Sequence, residues 1–304
     1  MSDRSLRMPE DGCEDKISEL SDDLLVQILL LIPTKDAMST MILSKRWRFV
    51  WTMIPKLKYK ETTKSVWWFL YNSLQLHKAP VVDSLCVDLG PRCPADTRLH
   101  SKDTPALKHL IIDSWVEDYF FIENMPCLDL ADITFSIFIC ESIDQSLRSL
   151  SSVLSLSIDD VSLRYSSTIN FSRLGKLRIC PDDSDWLEPL MVVLGNSLIL
   201  KHLVVDYAIV DLEDMALSWN QPDSVPSCLS SHLEIFEWME GYEGRVEEKK
   251  FVTYILANSK CLKRATIIFS NTFDLDRRRK VMEELESIPR VSKASQPFFQ
   301  MKNS

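Results

Sequence analysis

Residues 153–158 read VLSLSI and residues 174–179 read LGKLRI, so both stretches place apolar side chains at their first, fourth and sixth positions. The last two of these positions alternate as in a β-strand, which directs both side chains to one face of the strand. The same spacing recurs along the middle of the chain, with starts 25, 21, 25, 21 and 26 residues apart. The six units begin at Val82, Leu107, Leu128, Val153, Leu174 and Leu200. The pattern predicts six similar strands at a regular interval.

A period of about 20 to 29 residues is typical of leucine-rich repeats. One such unit cannot bury its apolar face alone, so the units are expected to stack into a solenoid with a parallel sheet. No unit carries the asparagine that usually follows the motif, which favours an irregular solenoid. Strand positions directed away from the core are candidates for contact with a partner, although a solvated face would look the same. These candidates are Lys108, His109, Asp132, Ser155, Ser157, Arg178 and His202.

The C-terminal third continues the strand pattern with helices between the strands. The apolar spacing returns in the units that start at Leu233 and Leu262. Helical periodicity predicts helices at residues 247–258 and 275–287, the second followed by Pro289. The order strand, helix, strand, helix predicts an α/β cap that closes the solenoid, as terminal repeats require.

The first sixty residues follow a helical period instead. Residues 1–14 are polar and predict a disordered tail. Ser21, Thr34 and Ser44 are predicted to cap three short helices, of which the first ends at Pro33 and the second extends through Leu43. The apolar side chains that recur at helical spacing are Leu24, Leu25, Ile28, Leu29 and Ile32 in the first helix, and Trp47, Val50, Trp51 and Ile54 in the third.

Three helices of this length cannot bury so many large apolar side chains among themselves. Domains below about 40 to 60 residues need outside help to be stable, and each large side chain left in water forgoes about 1.5 to 3 kcal/mol. The apolar face therefore packs either on the rest of the chain or on another protein. Composition alone leaves both possibilities open.

Composition and motifs argue against most catalytic classes. The eight cysteines are scattered without a Cys-x-x-Cys pair, which predicts free thiols and no zinc site. The five histidines lie far apart, and the sequence has no Gly-x-Ser-x-Gly, phosphate-loop or His-Glu-x-x-His motif. We therefore expect neither an enzyme nor a bound cofactor or metal. The polar N-terminus and the short apolar runs predict an intracellular protein of the nucleus or cytoplasm, with no membrane association.

A nucleic-acid-binding function has weaker support. The net charge of −9 is opposite to the basic excess such proteins usually carry. Two basic runs could still be cited, 277–280 and the set Lys45, Arg46, Arg48, Lys56, Lys58 and Lys60. Acidic residues 283, 284 and 286 lie one turn beyond the first run and predict ion pairs within a helix. We expect no nucleic-acid partner.

The N-terminal helices resemble a known module. The run from Asp15 to Leu29, residues 32–37, residues 43–47 and Trp51 are similar in one ungapped register to a plant F-box. The resemblance implies docking of a Skp-type adaptor, the subunit that connects F-box proteins to a cullin-RING ubiquitin ligase. Ser21 stands where that family usually has proline, which implies a less pre-organised turn but not loss of docking. By the same resemblance, the residues that form or support the docking face are Leu20, Leu24, Leu25, Ile28, Leu29, Ile32, Trp47 and Trp51.

The C-terminal region resembles the FBD module in residues 219–222, 225–229, 233–238, 241–245, 254–258, 261–263, 284–285 and 288–292. The whole chain is thus similar to the plant F-box/FBD/LRR-repeat family, with a repeat region that looks shortened near residues 96–103. This implies an α+β protein with a three-helix F-box (15–60), an irregular leucine-rich repeat solenoid (61–218) and an α/β FBD cap (219–304). The implied function is substrate receptor of an SCF-type ubiquitin ligase, and the alternative is an F-box scaffold outside a ligase.

Overall fold

The computed structural model describes residues 16–61, 72–74, 76–77, 82–89, 97–100, 104, 106–114, 120–123, 125–135, 143–181, 185–206, 219–269, 275–292 and 296–301. The predicted tail at 1–14 and half of the predicted join near 96–103 lie outside this part of the chain. The chain forms two compact units, Met1–Ile54 and Pro55–Ser304.

The first unit contains three short helices, α1 (Asp22–Leu29), α2 (Thr34–Ser39) and α3 (Lys45–Val50). Single 3-10 turns follow α2 at Thr40–Ile42 and α3 at Trp51–Met53. The predicted caps of the outer two helices are confirmed, because Ser21 Oγ accepts a hydrogen bond from Leu24 N and Ser44 Oγ accepts one from Trp47 N, each at 3.4 Å.

Two details of the prediction for the first unit were wrong. Thr34 does not cap α2, since Pro33 occupies the N-cap position with an extended ψ of 144° and Thr34 is already helical. A proline fixes φ near the value that a helix start needs, so it takes this place readily. In addition, α1 ends at Leu29 instead of continuing to Pro33, and α2 ends at Ser39 instead of Leu43.

The second unit contains a sheet of ten parallel strands, which confirms the predicted parallel sheet. Neighbouring strands of this sheet follow one another in chain order. Because they are parallel, each connection runs back to the end of the sheet at which the strands begin. The strands are β1 (Lys56–Glu61), β2 (Ser84–Leu89), β4 (His109–Ser114), β6 (Leu130–Phe135), β7 (Ser155–Asp159), β8 (Lys176–Cys180), β9 (His202–Asp206), β10 (Ile235–Tyr242), β11 (Arg264–Phe269) and β12 (Gln296–Met301). Two further strands, β3 (Thr97–His100) and β5 (Phe120–Glu123), pair separately in parallel.

Helices and turns connect the strands of the second unit. They are α4 (Ile143–Arg148), α5 (Asp160–Tyr165), a 3-10 turn (Ser166–Thr168), α6 (Leu187–Gly195), α7 (Ser227–Ser231), α8 (Val246–Asn258) and α9 (Leu275–Glu286). The predicted helices at 247–258 and 275–287 correspond to α8 and α9. Among the described residues, no helix combines the length and apolar character needed to cross a membrane.

The apolar positions of the sequence pattern become two continuous rows across the sheet. Leu156, for example, pairs with Ala131 on one side and Leu177 on the other, while Ile158 pairs with Ile133 and Ile179. The first row is Leu57, Leu85, Leu110, Ala131, Leu156, Leu177, Leu203, Phe236 and Ala265, and the second is Tyr59, Val87, Ile112, Ile133, Ile158, Ile179, Val205, Trp238 and Ile267. Every member of both rows is buried, at 3% exposure or less.

A repeated backbone arrangement fixes the step from one strand to the next. Gly175 O accepts hydrogen bonds from Lys201 N at 2.9 Å and His202 N at 3.0 Å. In the same way, Lys201 O accepts from Glu234 N and Ile235 N at the start of β10. The same double acceptance precedes β2, β4, β7, β8 and β11. Equal steps of this kind keep all strands in one register.

Aromatic side chains fill the core behind the later strands. The Trp186 ring lies edge-on to Trp238 and Phe251, with centroid distances of 6.0 and 5.8 Å, and Trp238 in turn contacts Tyr242 at 5.3 Å. All four side chains are fully buried. This cluster joins residues on both sides of the predicted boundary at 218/219, so one core extends across it.

Candidate functional site

The first unit leaves many apolar side chains in solvent. Helix α1 carries two apolar stripes, of which one is buried (Leu25 at 0% and Leu29 at 2% exposure) and the other is not (Leu24 at 46% and Ile28 at 43%). Because residues four apart share a helix face, each stripe presents a coherent surface. The fold uses the first stripe as its core and leaves the second unused.

Further exposed apolar residues lie in the turns after α1 and α2 and on α3. Leu31 is 84% exposed, Ile42 87% and Phe49 50%. We call the exposed apolar residues of this unit the docking face: Ile17, Leu24, Ile28, Leu30, Leu31, Ile32, Ile42, Leu43 and Phe49. Isolated exposed apolar residues are normal, but nine in so small a unit are typical of an interaction surface.

The docking residues inferred from the sequence fall into three groups in the structure. Leu24, Ile28 and Ile32 belong to the docking face, Leu20 and Trp47 are half-buried, and Leu25, Leu29 and Trp51 are buried. The buried members can support the face but offer no surface of their own. Six members of the docking face were not inferred from the sequence: Ile17, Leu30, Leu31, Ile42, Leu43 and Phe49. Four of them, at positions 30, 31, 42 and 43, lie beyond the ends of α1 and α2, where the sequence predicted that the helices continue.

Arg46 holds the start of α1 against α3. Its Nε donates to Asp22 Oδ1 at 2.7 Å, Nη1 donates to Ser18 O at 2.7 Å, and Nη2 donates to Leu20 O. Bonds to two carbonyls and a carboxylate use the forked shape of the guanidinium, which a lysine lacks. Arg46, which the sequence offered as a nucleic-acid contact, is therefore occupied by contacts within the first unit.

The outward positions of the ten-strand sheet form a second candidate surface, called here the strand face. His109, Asp132, Ser155, Ser157, Arg178 and His202 all occupy outward positions, whereas Lys108 lies just before β4. The structure thus places six of the seven sequence candidates on one face. Whether they contact a target stays a prediction.

Opposite charges face each other across neighbouring strands on the strand face. Arg178 pairs with Asp206, and Glu237 accepts from His202 Nε2 at 2.8 Å and from Arg264 Nη2 at 3.0 Å. At the first edge, Lys60 lies 3.5 Å from Asp88. Such a mixed face is suited to recognition by charge complementarity.

The chemistry of the strand face does not point to catalysis. Burial raises the pKa of the Cys180 thiol to about 11 and also raises that of Cys86, so both stay protonated and weakly nucleophilic near neutral pH. Within the described residues, no group of three or more His, Cys, Asp or Glu side chains could hold a metal ion.

The basic residues 277–279 near the start of α9 also form contacts within the chain, but not with the predicted partners. Arg277 donates to Glu243 O at 3.0 Å, Arg278 lies over the Phe269 ring at 5.9 Å, and Arg279 is 3.8 Å from Asp276. Glu284 pairs with Lys249 of α8. The contacts of Arg277, Arg278 and Glu284 attach α9 to its neighbours. Arg279 does pair within the helix, but with Asp276 and not with the predicted acidic residues at 283, 284 and 286.

Two models of known protein families match parts of the chain. The family model for the F-box domain matches residues 17–59, and the model named FBD matches residues 221–267. The exposed docking face lies within or close to the first match, and α8 lies within the second.

Full-length relatives come from Arabidopsis thaliana. An FBD-associated F-box protein is 34% identical, with 96% of this chain and 99% of the relative covered. Two F-box/FBD/LRR-repeat proteins are 33% and 28% identical, covering 92% and 94% of this chain and 95% and 100% of their own lengths. The alignment with the FBD-associated F-box protein extends over 438 positions, which is more than the 304 residues of this chain. This relative therefore has internal segments that the present chain lacks. The chain belongs to the plant F-box/FBD/LRR-repeat protein family.

Proposed function

We propose that this protein is the substrate receptor of an SCF-type cullin-RING ubiquitin ligase, and that its docking face binds the Skp-type adaptor. The observation that carries the proposal is the second apolar stripe of α1, which stays in water within a region that matches the F-box model. F-box domains typically bind Skp-type adaptors. Because Leu24 and Ile28 are 46% and 43% exposed, burial of the remaining surface would gain on the order of 1 kcal/mol for each side chain.

We further propose that the ten-strand sheet is an irregular leucine-rich repeat solenoid closed by the FBD. Support comes from the period of 21 to 26 residues, the two continuous apolar rows and the repeated double acceptance by one carbonyl. The strand face would hold a target protein close to the ligase. Raising the local concentration of a bound target requires no catalytic group on this chain.

In this proposal, the transfer of ubiquitin belongs to the cullin-RING core and its ubiquitin-charged partner. The receptor contributes two binding surfaces and no bond-making residue. It would work in the nucleus or cytoplasm, where the ligase operates.

The test changes Leu24 and Ile28 together to aspartate and measures capture of a purified Skp-type adaptor by the full chain. We expect the affinity to fall about a hundredfold or more, because two apolar contacts are lost and two charges would be buried. The matched control is Leu198→Asp, which places the same charge on an exposed leucine of the second unit. Undiminished capture by the double variant would refute adaptor docking through this face.

A second measurement separates a ligase receptor from a scaffold. The tagged chain is purified from plant cells, and the adaptor and the cullin are quantified in the same sample. Recovery of both in comparable amounts supports the ligase receptor. Recovery of the adaptor without the cullin supports the scaffold and contradicts the ligase proposal.

A further inference from the structure

A cleft follows the exposed side of α8, away from the strand face. It is lined by one helical stripe, Val246, Lys250, Thr253 and Ala257, and by the segment Trp219–Gln221 on the opposite side. These residues lie in or next to the FBD match at 221–267. Neither adaptor docking nor the strand face gives this cleft a role.

The aromatic part of the cleft is fixed in place before any ligand arrives. The Trp219 ring lies edge-on to Phe251 at 5.5 Å and to Tyr254 at 5.6 Å, with interplanar angles of 79° and 64°. Phe251 is fully buried and Tyr254 is 5% exposed, so both anchor the half-buried Trp219. Rigid aromatic anchors favour binding because little side-chain freedom remains to be lost.

The shape of the cleft suits an extended chain. The stripe from residue 246 to residue 257 spans roughly 16 Å at about 1.5 Å per helical residue. A peptide in extended conformation covers this length with about five residues, at about 3.3 Å each. Polar side chains of Gln221, Thr253 and Asn258 along the cleft are suited to hydrogen bonds with a peptide backbone.

The charge of the cleft is opposite to that of the whole protein. Lys249 and Lys250 line it, and no Asp or Glu among the described residues does so, although the chain carries a net charge of −9. Lys249 is already paired with Glu284. Lys250 is exposed and forms no ion pair or hydrogen bond within the described part of the chain, so its charge is available to a carboxylate.

We propose that this cleft binds an extended acidic segment of a partner protein, with a carboxylate on Lys250 and an apolar side chain against Trp219. The FBD region would then have a binding site of its own. The site goes beyond the proposed receptor function and does not depend on adaptor docking. Charge complementarity selects the acidic segment, because a basic one would meet the ammonium group of Lys250, which has no opposing carboxylate among the described residues.

The experiment selects phage-displayed random dodecapeptides on the full chain and measures the recovered peptides by fluorescence anisotropy. We expect enrichment of Asp and Glu, weaker binding at higher salt, and at least a tenfold loss of affinity for Lys250→Glu. Trp219→Ala should also weaken binding, but it removes a ring packed on Phe251. Lys250 is exposed, so its variant tests the site without this risk to folding. The matched control is Lys56→Glu, at an exposed lysine of β1.

Three outcomes would overturn the proposal. The first is that no peptide is enriched, the second is that the enriched peptides lack acidic residues, and the third is that Lys250→Glu binds them as well as the native chain. The proposal would also be wrong if a single-stranded RNA 12-mer bound through Lys250 and acidic peptides did not bind. The cleft would then be a nucleic-acid-binding site. The Leu24 and Ile28 double variant should retain peptide binding, which separates this test from that of adaptor docking.

Discussion

Arg46 connects two helices of the F-box region through three hydrogen bonds, to Asp22, Ser18 and Leu20. We expect Arg46→Ala to lower the stability of the adaptor complex by about 1 to 2 kcal/mol. The side chain is 36% exposed, and exposure weakens ion pairs, so a larger effect is not expected. Arg46→Lys should recover only part of this loss, because an ammonium cannot fork between a carboxylate and two carbonyls.

The Arg46 measurement is thermal unfolding of the full chain bound to its adaptor, with Arg48→Ala as the matched control. Arg48 is exposed on the same helix and has no ion pair among the described residues. If Arg46→Ala and Arg48→Ala had the same unfolding temperature, the connecting role of Arg46 would be wrong.

Ser21 departs from the proline that the family resemblance implies, and its backbone explains why either residue is acceptable. Its φ is −64°, the value to which a proline ring is restricted, and its Oγ caps α1. We expect Ser21→Pro to keep adaptor affinity within about threefold, because the lost cap is offset by a less flexible unfolded chain. Ser21→Ala loses the cap without this gain and should cost about 1 kcal/mol. Titration of the adaptor against all three chains checks the order, and abolished binding in Ser21→Pro would contradict it.

At the scale of elements, the turn between β10 and α8 depends on one buried carboxylate. Glu248 Oε2 accepts hydrogen bonds from Glu243 N at 2.9 Å and from Arg245 N at 3.1 Å, and Gly244 adopts a positive φ of 64° between them. Burial raises the pKa of Glu248 to about 7, while the hydrogen bonds to the two amides and the charge of Arg245 oppose this.

A raised pKa means that the folded chain keeps a proton that the unfolded chain releases. The stabilising contribution is complete below the unfolded pKa of about 4.3 and is lost as the pH rises towards 7. Glu248→Gln keeps an oxygen acceptor for both amides without a charge. We therefore expect this variant to be more stable than the native chain at pH 8, by on the order of 2 to 3 kcal/mol, with little difference at pH 4.

Urea unfolding of the native chain and of Glu248→Gln at several pH values between 4 and 8 measures the Glu248 effect. Glu248→Ala serves as the control, since it removes the oxygen that accepts both hydrogen bonds and should be destabilised at every pH. An identical pH dependence in the native and Gln chains would show that Glu248 does not titrate in this range.

Regular patterns made most elements of the second unit predictable. The spacing of Leu156 and Ile158 recurs in each central strand, and both positions occupy the buried rows as predicted. The edge strands β1 and β12 were missed. The alternation of lysines with Leu57 and Tyr59 would have indicated β1, but it lay inside a range already interpreted as F-box. Strand β12 contains glutamines and a proline, so its sequence gives little indication of a strand. The segment is extended because it pairs with β11.

At the scale of the whole molecule, the sequence indicates that the first three helices cannot bury all of their apolar surface among themselves. It does not identify which side chains stay exposed. Leu24 and Leu25 are adjacent and chemically identical, yet one is 46% exposed and the other fully buried. Both positions fit the helical spacing of apolar residues, so only the packing of α1 against its neighbours determines which of the two side chains is buried. Leu31 was missed for a related reason, since its exposure depends on where α1 ends.

The largest consequence of the packing is that the strands before residue 218 and the FBD share one core. Trp186 comes before residue 218, whereas its ring contacts Trp238 and Phe251, which come after it. A chain cut after residue 218 would also leave β9 without its neighbour β10. Loss of the partners of one buried aromatic costs about 3 to 5 kcal/mol, a large part of the about 5 to 15 kcal/mol that usually stabilises a domain.

We therefore expect residues 1–218 alone to unfold without a cooperative transition in urea, followed by far-UV circular dichroism and tryptophan fluorescence. A chain of residues 55–304 is the control and should retain a cooperative transition, because it contains the whole second unit. If residues 1–218 unfolded cooperatively with a midpoint close to that of the full chain, the shared core would not be needed for folding. The expected result would mean that the strands before residue 218 depend on the FBD for their stability, because Trp186 packs on Trp238 and Phe251.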